Sequence, residues 1–114
     1  KFVEREARRG HAYDAVIMDP PSYGRGPSGE LWKLEENVDE LIAKTAKLLS
    51  DQPLFFLVSS YTAGLSPSSI AYMLELELTR RFGGSVSADE LGLPVTASGA
   101  VLPCGGAALW VADK

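Results

Sequence analysis

Hydrophobic residues along this chain alternate between short continuous runs and longer stretches of helical periodicity. Two runs, at residues 13–19 and 54–58, are typical of parallel strands that are covered on both faces. Apolar positions repeat at helical spacing from Leu34 to Leu49, and a further helical stretch reaches about Arg81. This alternation predicts an α/β fold.

The residues that interrupt these patterns predict where the helices begin and end. Gly10 should cap a first helix over residues 2–9, because glycine tolerates the left-handed conformation at a helix C-terminus. Pro53 should mark the end of the second helix region. Ser66 followed by Pro67 predicts the start of the third helix, with serine as the N-cap.

The last part of the chain predicts a pair of strands. They lie near residues 85–95 and 106–112, and we expect them to form a closing antiparallel hairpin. The pair Gly105-Gly106 permits a turn or a β-bulge there. The predicted order is therefore helix, strand, helix, strand, helix, strand, strand.

The first strand ends in residues that suit the binding of a planar base. Asp19 falls just beyond the strand, where ligands bind in open α/β sheets. Pro20 and Pro21 follow; they have no N–H, and their carbonyls remain free to accept hydrogen bonds. Tyr23 adds a flat ring for stacking. Two acceptors beside an aromatic ring fit a base that has an exocyclic amine.

The segment Asp19-Pro20-Pro21-Ser22-Tyr23 resembles the substrate-side motif of class I S-adenosylmethionine-dependent methyltransferases. With the Gly-rich residues 24–30 and the segment 31–36, it is most similar to bacterial enzymes of the large-subunit ribosomal RNA type. The likeness covers most of the chain, as the back half of such a fold. It implies a partial doubly wound, Rossmann-like sheet that is mostly parallel and ends in an antiparallel hairpin.

The resemblance also implies roles for individual residues. Asp19 and Pro20 would be catalytic, and Asp19 would lie beside the methyl donor, S-adenosylmethionine. Pro21, Ser22 and Tyr23 of the motif would bind the substrate. From their positions alone, Ser60 and Tyr61 at the end of the second strand are expected to line the pocket, and Arg25 in the Gly-rich loop is expected to bind substrate through phosphate. Residues 1–114 would form the C-terminal half of the catalytic domain, without the N-terminal half that holds most of the cofactor. This piece alone is therefore expected to be inactive.

One glycine pattern is misleading. Residues 24–29 spell G-x-G-x-x-G, but a dinucleotide-binding loop needs its glycines in the turn between a strand and a helix. Here Pro20 and Pro21 intervene, and Asp51 precedes the next strand instead of ending it. We therefore expect a flexible loop over the substrate pocket.

Four alternatives remain open beside methylation of a base nitrogen. Methylation of pyrimidine carbon 5 needs a cysteine nucleophile, but Ser22, Ser59 and Ser60 occupy the corresponding positions, and Cys104 is expected to be a buried structural thiol. An oxygen acceptor is the second alternative.

Two alternatives do not involve methyl transfer. Residues 20–23 also fit the Pro-Pro-x-Tyr pattern that WW domains bind. The chain could instead be a non-catalytic assembly fragment.

Composition narrows the choice of partners. Fifteen acidic and eleven basic residues give a net charge of −4, so the chain has no broad basic surface for phosphates. Four basic residues near the start are expected to form a solvated helix face: Lys1, Arg5, Arg8 and Arg9. We therefore expect the backbone of a ribosomal RNA partner to be gripped largely by segments outside this chain.

Cysteine content and hydrophobic run length argue against a disulfide, a metal site and a membrane span. A single cysteine allows neither an internal disulfide nor a thiolate metal cluster, and no metal site is expected. The absence of an apolar run of about eighteen residues predicts a cytoplasmic protein with no membrane partner. His11 is expected to be solvated in a turn, and Trp32 and Trp110 are expected to pack in the core.

Finally, the family's strand order places the strand at residues 13–19 beside a strand that this chain lacks. That strand would then be an apolar edge without blunting charges, which is a template for pairing with another chain. The prediction is self-association of the isolated piece through this edge.

Overall fold

The computed structural model describes residues 2–26, 28–62 and 64–113. In chain order, the first elements are α1 (Phe2–Arg8), β1 (Ala15–Met18), β2 (Tyr23–Arg25), β3 (Leu31–Lys33), α2 (Leu34–Ala46) and β4 (Phe55–Ser60). They are followed by α3 (Pro67–Leu74), a π-helical segment (Glu75–Thr79), α4 (Arg80–Phe82), β5 (Ser85–Pro94) and β6 (Val101–Val111). A membrane-spanning helix is not found in the described part of the chain.

Four of the strands form one mixed sheet in the order β1-β4-β6-β5. β1 runs parallel to β4, whereas β4 pairs with β6, and β6 with β5, in antiparallel orientation. The α/β class and the closing hairpin are thus confirmed. The expectation of a mostly parallel sheet is wrong for the described residues, because the returning strand β6 lies between β4 and β5 and makes both of its pairings antiparallel.

One face of the sheet holds the hydrophobic core. Along β4, Phe56 and Val58 are fully buried, and they pack with the apolar faces of α2 and α3. Trp110 on β6 is also fully buried, and its indole Nε1 donates a hydrogen bond to the Gly83 carbonyl at 2.9 Å. Trp32 packs against the same cluster. The predicted packing role of both tryptophans is confirmed.

The other face of the sheet is only partly covered by the described residues. Phe55 and Leu57 on β4 are half-buried, and Ile17 on β1 is 71% exposed. Among the described strands, β1 pairs with β4 alone, so it is an edge strand, as expected. The prediction that β1 is covered on both faces is therefore wrong within the described structure.

The helix boundaries follow the local sequence signals. α1 ends at Arg8 and is followed by Gly10, whose φ is +73°; the amides of Gly10 and His11 donate to the carbonyls of Ala7 and Glu6 at 3.1 Å each. This is the Schellman arrangement that a C-terminal glycine permits. At the start of α3, the Ser66 hydroxyl accepts from the Ser69 amide at 3.1 Å, which confirms the predicted N-cap.

The Gly-rich segment after β1 differs from the prediction. Instead of a loop without secondary structure, β2 and β3 form a two-stranded antiparallel hairpin in which Tyr23 pairs with Lys33. Each strand is only three residues long, too short for alternation of apolar and polar residues to reveal it. Pro27, which the Gly-rich segment also contains, lies outside the described residues.

The closing hairpin is longer than predicted. β6 begins at Val101, because the residues before Gly105 also pair with β5. The register shifts between Leu91 and Gly92, opposite Cys104, so the bulge lies one residue before the predicted Gly105-Gly106 pair, and both glycines are paired with β5. The part of the hairpin beyond the bulge is exposed, so no buried face marked it in the sequence.

Candidate functional site

The two parallel strands bring the predicted site residues to one edge of the sheet. Because β1 and β4 run in the same direction, Asp19 after β1 and Ser60 at the end of β4 lie at the same end. Asp19 is exposed, and among the described residues its carboxylate makes no hydrogen bond or ion pair. Pro20 is half-buried beside it. The Asp19 carboxylate is therefore free to accept hydrogen bonds from a ligand.

Ser22 joins the loop after β1 to the loop after β4. Its carbonyl accepts from the Leu34 amide at 2.9 Å, and its hydroxyl accepts from the Thr62 hydroxyl at 2.8 Å. These bonds attach the Pro20-Pro21 turn to α2 on one side and to the β4 loop on the other. Sequence reasoning had not identified Thr62, although its position two residues after β4 was the available signal.

Tyr23 and Arg25 lie on the same side of the β2–β3 hairpin. Alternate residues of a strand share a face, and both side chains are exposed while Gly24 between them is half-buried. The Tyr23 ring is 68% exposed. The Arg25 guanidinium donates to the Gly29 carbonyl at 3.3 Å, a long bond that leaves its other N–H groups available.

An open cleft of about 670 Å³ adjoins this site at the end of β4 and beside the bulge of β6. Ser60 and Tyr61 line it, together with Thr62, the start of α3, Glu90 on β5 and the β6 bulge. The other predicted site residues are not among its described lining. The structure thus divides the predicted set into two neighbouring groups, the motif after β1 and this cleft, which the bond between Ser22 and Thr62 connects.

Cys104 differs from its expected role as a buried thiol. It is half-buried in the bulge and lines the cleft. The extra residue of a bulge lacks a partner on the neighbouring strand, which explains why Cys104 is not enclosed by the hairpin.

His11 also differs from the prediction, because it is not simply solvated. Its Nδ1 lies 2.9 Å from Oε1 of Glu6, which is only 5% exposed and also accepts a hydrogen bond from the Tyr13 hydroxyl. The Tyr13 bond, followed by the His11 bond, lowers the pKa of Glu6, and the same carboxylate raises the pKa of Tyr13. This cluster precedes β1, at the end of the strand opposite Asp19, and it ties α1 to the sheet.

The described residues offer a carboxylate for the positive charge of S-adenosylmethionine but no glycine-rich turn for its adenosine part. The turn after β1 contains prolines and the turn after β4 contains Ser60 and Tyr61, so neither parallel strand leads into a glycine-rich turn that opens a helix. Asp19, by contrast, is an exposed carboxylate that suits a neighbouring positive charge. Within the described ranges, no three His, Cys, Asp or Glu side chains come together as a metal site.

Solved structures with the same arrangement of elements are methyltransferases. The SAM-dependent methyltransferase from Agrobacterium tumefaciens is 30% identical, with a TM-score of 0.84 over 98% of this chain and 37% of that one. The structural relatives of this chain are thus S-adenosylmethionine-dependent methyltransferases. SMU.776, a candidate methyltransferase solved in complex with SAH, is 20% identical over 96% of this chain and 29% of its own, with a TM-score of 0.59.

M1.HpyAVI gives a similar result, with 20% identity and a TM-score of 0.60 over 100% of this chain and 51% of that one, and it has also been solved with SAM. At 20% identity, SMU.776 and M1.HpyAVI show the shared fold alone. This chain spans between 29% and 51% of the length of these three structures. No protein-family model matches the sequence, and no curated protein matches it significantly.

Proposed function

We propose that residues 1–114 form the C-terminal, substrate-side half of a catalytic domain that methylates a base nitrogen in ribosomal RNA. One observation carries the proposal. An exposed carboxylate without a partner among the described residues, Asp19, stands at the carboxyl end of a parallel strand and precedes two prolines. It does so in a fold shared with the methyltransferase from Agrobacterium tumefaciens. Such a substrate would place the protein in the cytoplasm.

The chemistry follows from what Asp19 and Pro20 can accept. An aromatic amine is a poor nucleophile because its lone pair is delocalised into the ring. If one N–H donates to the Asp19 carboxylate and the other to the Pro20 carbonyl, the nitrogen is biased towards a tetrahedral geometry and its lone pair is oriented for attack. Positive charge that develops on the nitrogen is then stabilised by the carboxylate. S-adenosylmethionine, when bound, supplies a methyl group that is already strongly electrophilic.

The neighbouring residues would hold the base and its backbone. Stacking on the exposed Tyr23 ring would contribute about 1–3 kcal/mol, as for other pairs of bases and aromatic rings. Pro21 and Ser22 fix the turn, and Arg25 on the same side of the hairpin would contact phosphate. A target base within a duplex must first be extruded to reach these groups.

The cofactor would be held mainly by the half of the domain that this chain does not contain. Because the described residues offer Asp19 but no glycine-rich turn for the adenosine part, we expect no S-adenosylmethionine binding by these 114 residues in calorimetry. Tight binding by the isolated chain would show that the division into two halves is wrong. For the same reason, the isolated chain should have no methyltransferase activity.

Division of the catalytic domain into two halves also implies what would cover the second face of the sheet, which the described residues cover only in part. One side of β1 has no strand beside it among the described residues, and Ile17, Phe55 and Leu57 on the second face are exposed or half-buried. In the complete domain, the N-terminal half would cover this surface. The isolated chain would instead pair with another copy through β1, since an apolar edge strand is a template for strand addition.

The remaining alternatives receive less support from the geometry. Carbon methylation needs a cysteine nucleophile, and the strand-end loops place Ser22 and Ser60 where a thiol would be required, while Cys104 lies in the β6 bulge. Docking of residues 20–23 to a WW domain needs a free extended segment, but Ser22 is hydrogen-bonded through its backbone and its side chain. An oxygen acceptor would use the same site.

The experiment is methyl transfer by the complete protein to bulk ribosomal RNA, followed by nucleoside analysis. We expect the label from S-adenosylmethionine in an N-methylated base, and its loss in Asp19→Ala. A carbon-methylated pyrimidine would instead assign a different chemistry to the site. No transfer to any RNA by a folded protein that binds S-adenosylmethionine would contradict the proposal.

A further inference from the structure

Glu90 on β5 belongs to a row of residues that the chemistry of Asp19 does not use. Across the sheet, Ser60 pairs with Gly106, and Gly106 pairs with Glu90. Side chains two residues apart on a strand share a face of the sheet. The row of Ser60, Gly106 and Glu90 therefore faces the same side as the row two residues earlier or later on each strand, which faces the core. That core-facing row consists of Val58, Ala108 and Ala88. Glu90 therefore stands above the core, on the side of the sheet where it lines the cleft.

Tyr61 provides this cleft with an aromatic surface that is held in place. A Cβ added at Gly105 would lie only 2.5 Å from Cδ1 of Tyr61, so the ring is packed directly against the β6 backbone. The side chain is nevertheless 57% exposed. A ring that is supported on one side and open on the other loses little conformational freedom when a base stacks on it.

The charge in the cleft disfavours a phosphate as its ligand. Glu90 is exposed, and it makes no hydrogen bond or ion pair with any other described residue. The described lining contains no lysine, arginine or histidine. A carboxylate can only accept hydrogen bonds, so the cleft favours a neutral planar group that presents N–H donors.

We propose that this cleft binds a nucleobase adjacent to the target base, stacked on Tyr61 and recognised by Glu90, with guanine preferred. Guanine presents two neighbouring donors, N1–H and the 2-amino group, which match the two oxygens of a carboxylate. Adenine and cytosine present an amine beside an acceptor nitrogen, and uracil presents one N–H between two carbonyls. This inference rests on the proposed function, which supplies an RNA strand to the site.

The two groups lie at separate places along the sheet. Three strand spacings separate β1 from β5, which corresponds to roughly 14 Å between their axes. Tyr61 lies between them, after β4, and the bond between Ser22 and Thr62 joins its loop to the motif. A target base at Asp19 and a second base between Tyr61 and Glu90 would therefore occupy separate places.

The test is the binding of guanosine, adenosine, cytidine and uridine to the purified protein, followed by NMR through the amides of Gly105 and Gly106. Guanosine should bind most tightly. Glu90→Gln should weaken guanosine binding on the order of tenfold and remove the preference for it. Asp89→Asn, a matched charge change on the opposite face of the same strand, should leave both unchanged. Tyr61→Ala should weaken binding of all four nucleosides about tenfold, whereas Tyr61→Phe should not.

Two results would overturn the inference. One is the absence of guanosine-dependent shifts at the cleft amides. The other is an unchanged base preference in a folded Glu90→Gln protein. If that variant also had a lower melting temperature, Glu90 would only stabilise the nearby N-terminus of α3. Asp19→Asn separates this inference from the proposed function, because it should remove methyl transfer and leave guanosine binding intact. Guanosine binding without methyl transfer in the wild type would contradict the proposed function alone.

Discussion

Gly105 is the position where the structure gives the sharpest prediction about stability. Its φ of +153° lies in a region that other residues rarely adopt, and it faces Tyr61 across a close contact. A Cβ at this position would meet the Tyr61 ring at 2.5 Å and the Ser60 carbonyl oxygen at 2.7 Å. The oxygen belongs to the backbone of β4, a central strand, so it cannot move aside without disturbing the sheet.

The expected cost of Gly105→Ala has two parts. A residue held in a conformation that only glycine tolerates costs about 1–3 kcal/mol, and forcing an extra methyl group into a packed site costs about 1–3 kcal/mol more. The sum, roughly 2–6 kcal/mol, is a large share of the ~5–15 kcal/mol that stabilises a typical domain. We therefore expect a clear loss of stability, together with displacement of Tyr61.

The measurement is urea unfolding followed by tryptophan fluorescence, to which the fully buried Trp110 and the half-buried Trp32 both contribute. Gly24→Ala is the matched control, because Gly24 has no positive φ and a Cβ there would meet nothing within 4 Å. The control should stay within about 0.5 kcal/mol of the wild type. If Gly105→Ala were as stable as Gly24→Ala, the close packing of Tyr61 on β6, and with it the supported stacking surface, would be refuted.

Three further predictions concern other parts of the molecule. Ser66→Ala should cost about 1 kcal/mol in urea unfolding by removing the N-cap bond of α3, whereas Ser68→Ala, exposed in the same turn, should be nearly neutral; equal effects would contradict the cap. Hydrogen bonds from Tyr13 and His11 lower the pKa of Glu6 below its ordinary value of 4.5. The ionised Glu6 carboxylate should therefore stabilise the fold fully above pH 4.5, and this contribution should be lost as the pH falls through the lowered pKa. Glu6→Gln should flatten that part of the profile of unfolding free energy against pH, and an unchanged profile would argue against the cluster. Ile17→Lys should keep the isolated chain monomeric in sedimentation at micromolar concentration, where the wild type associates; a monomeric wild type would refute pairing through β1.

The parts of the fold that depend on neighbouring residues were predictable from the sequence. Ser66 and Pro67 mark the start of α3, and Gly10 marks the end of α1, because each signal acts within a few residues along the chain. The position of Asp19 beyond β1 was also predictable, since the apolar run and the two prolines bound the strand from both sides.

The features that depend on residues far apart in the chain were not predictable. The placement of β6 between β4 and β5 is decided by pairing across more than forty residues, and the alternation within each strand carries no information about it. The bond between Ser22 and Thr62 and the position of Glu90 in the cleft have the same origin. The edge position of β1 was predicted only because the resemblance supplied a strand order.

The pairing of His11 with Glu6 shows that even a contact between residues close in the chain was not predictable from the sequence. Glu6 and His11 are five residues apart, but a polar pair at that spacing becomes close only because Gly10 reverses the chain after α1. Burial of Glu6 then depends on Tyr13, which reaches it from the start of the first strand region. The sequence pattern alone showed a solvated turn.

The most direct test of the central claim is methyl transfer to ribosomal RNA by Asp19→Asn in the complete protein. Asparagine keeps the shape of the side chain but removes the charge that would stabilise the developing cation. The rate should therefore fall at least about 100-fold while the fold persists. Asp51→Asn, an exposed carboxylate before β4 at the opposite end of the sheet, should retain the wild-type rate. A folded Asp19→Asn protein with the wild-type rate would contradict the assignment of this strand end as the catalytic site.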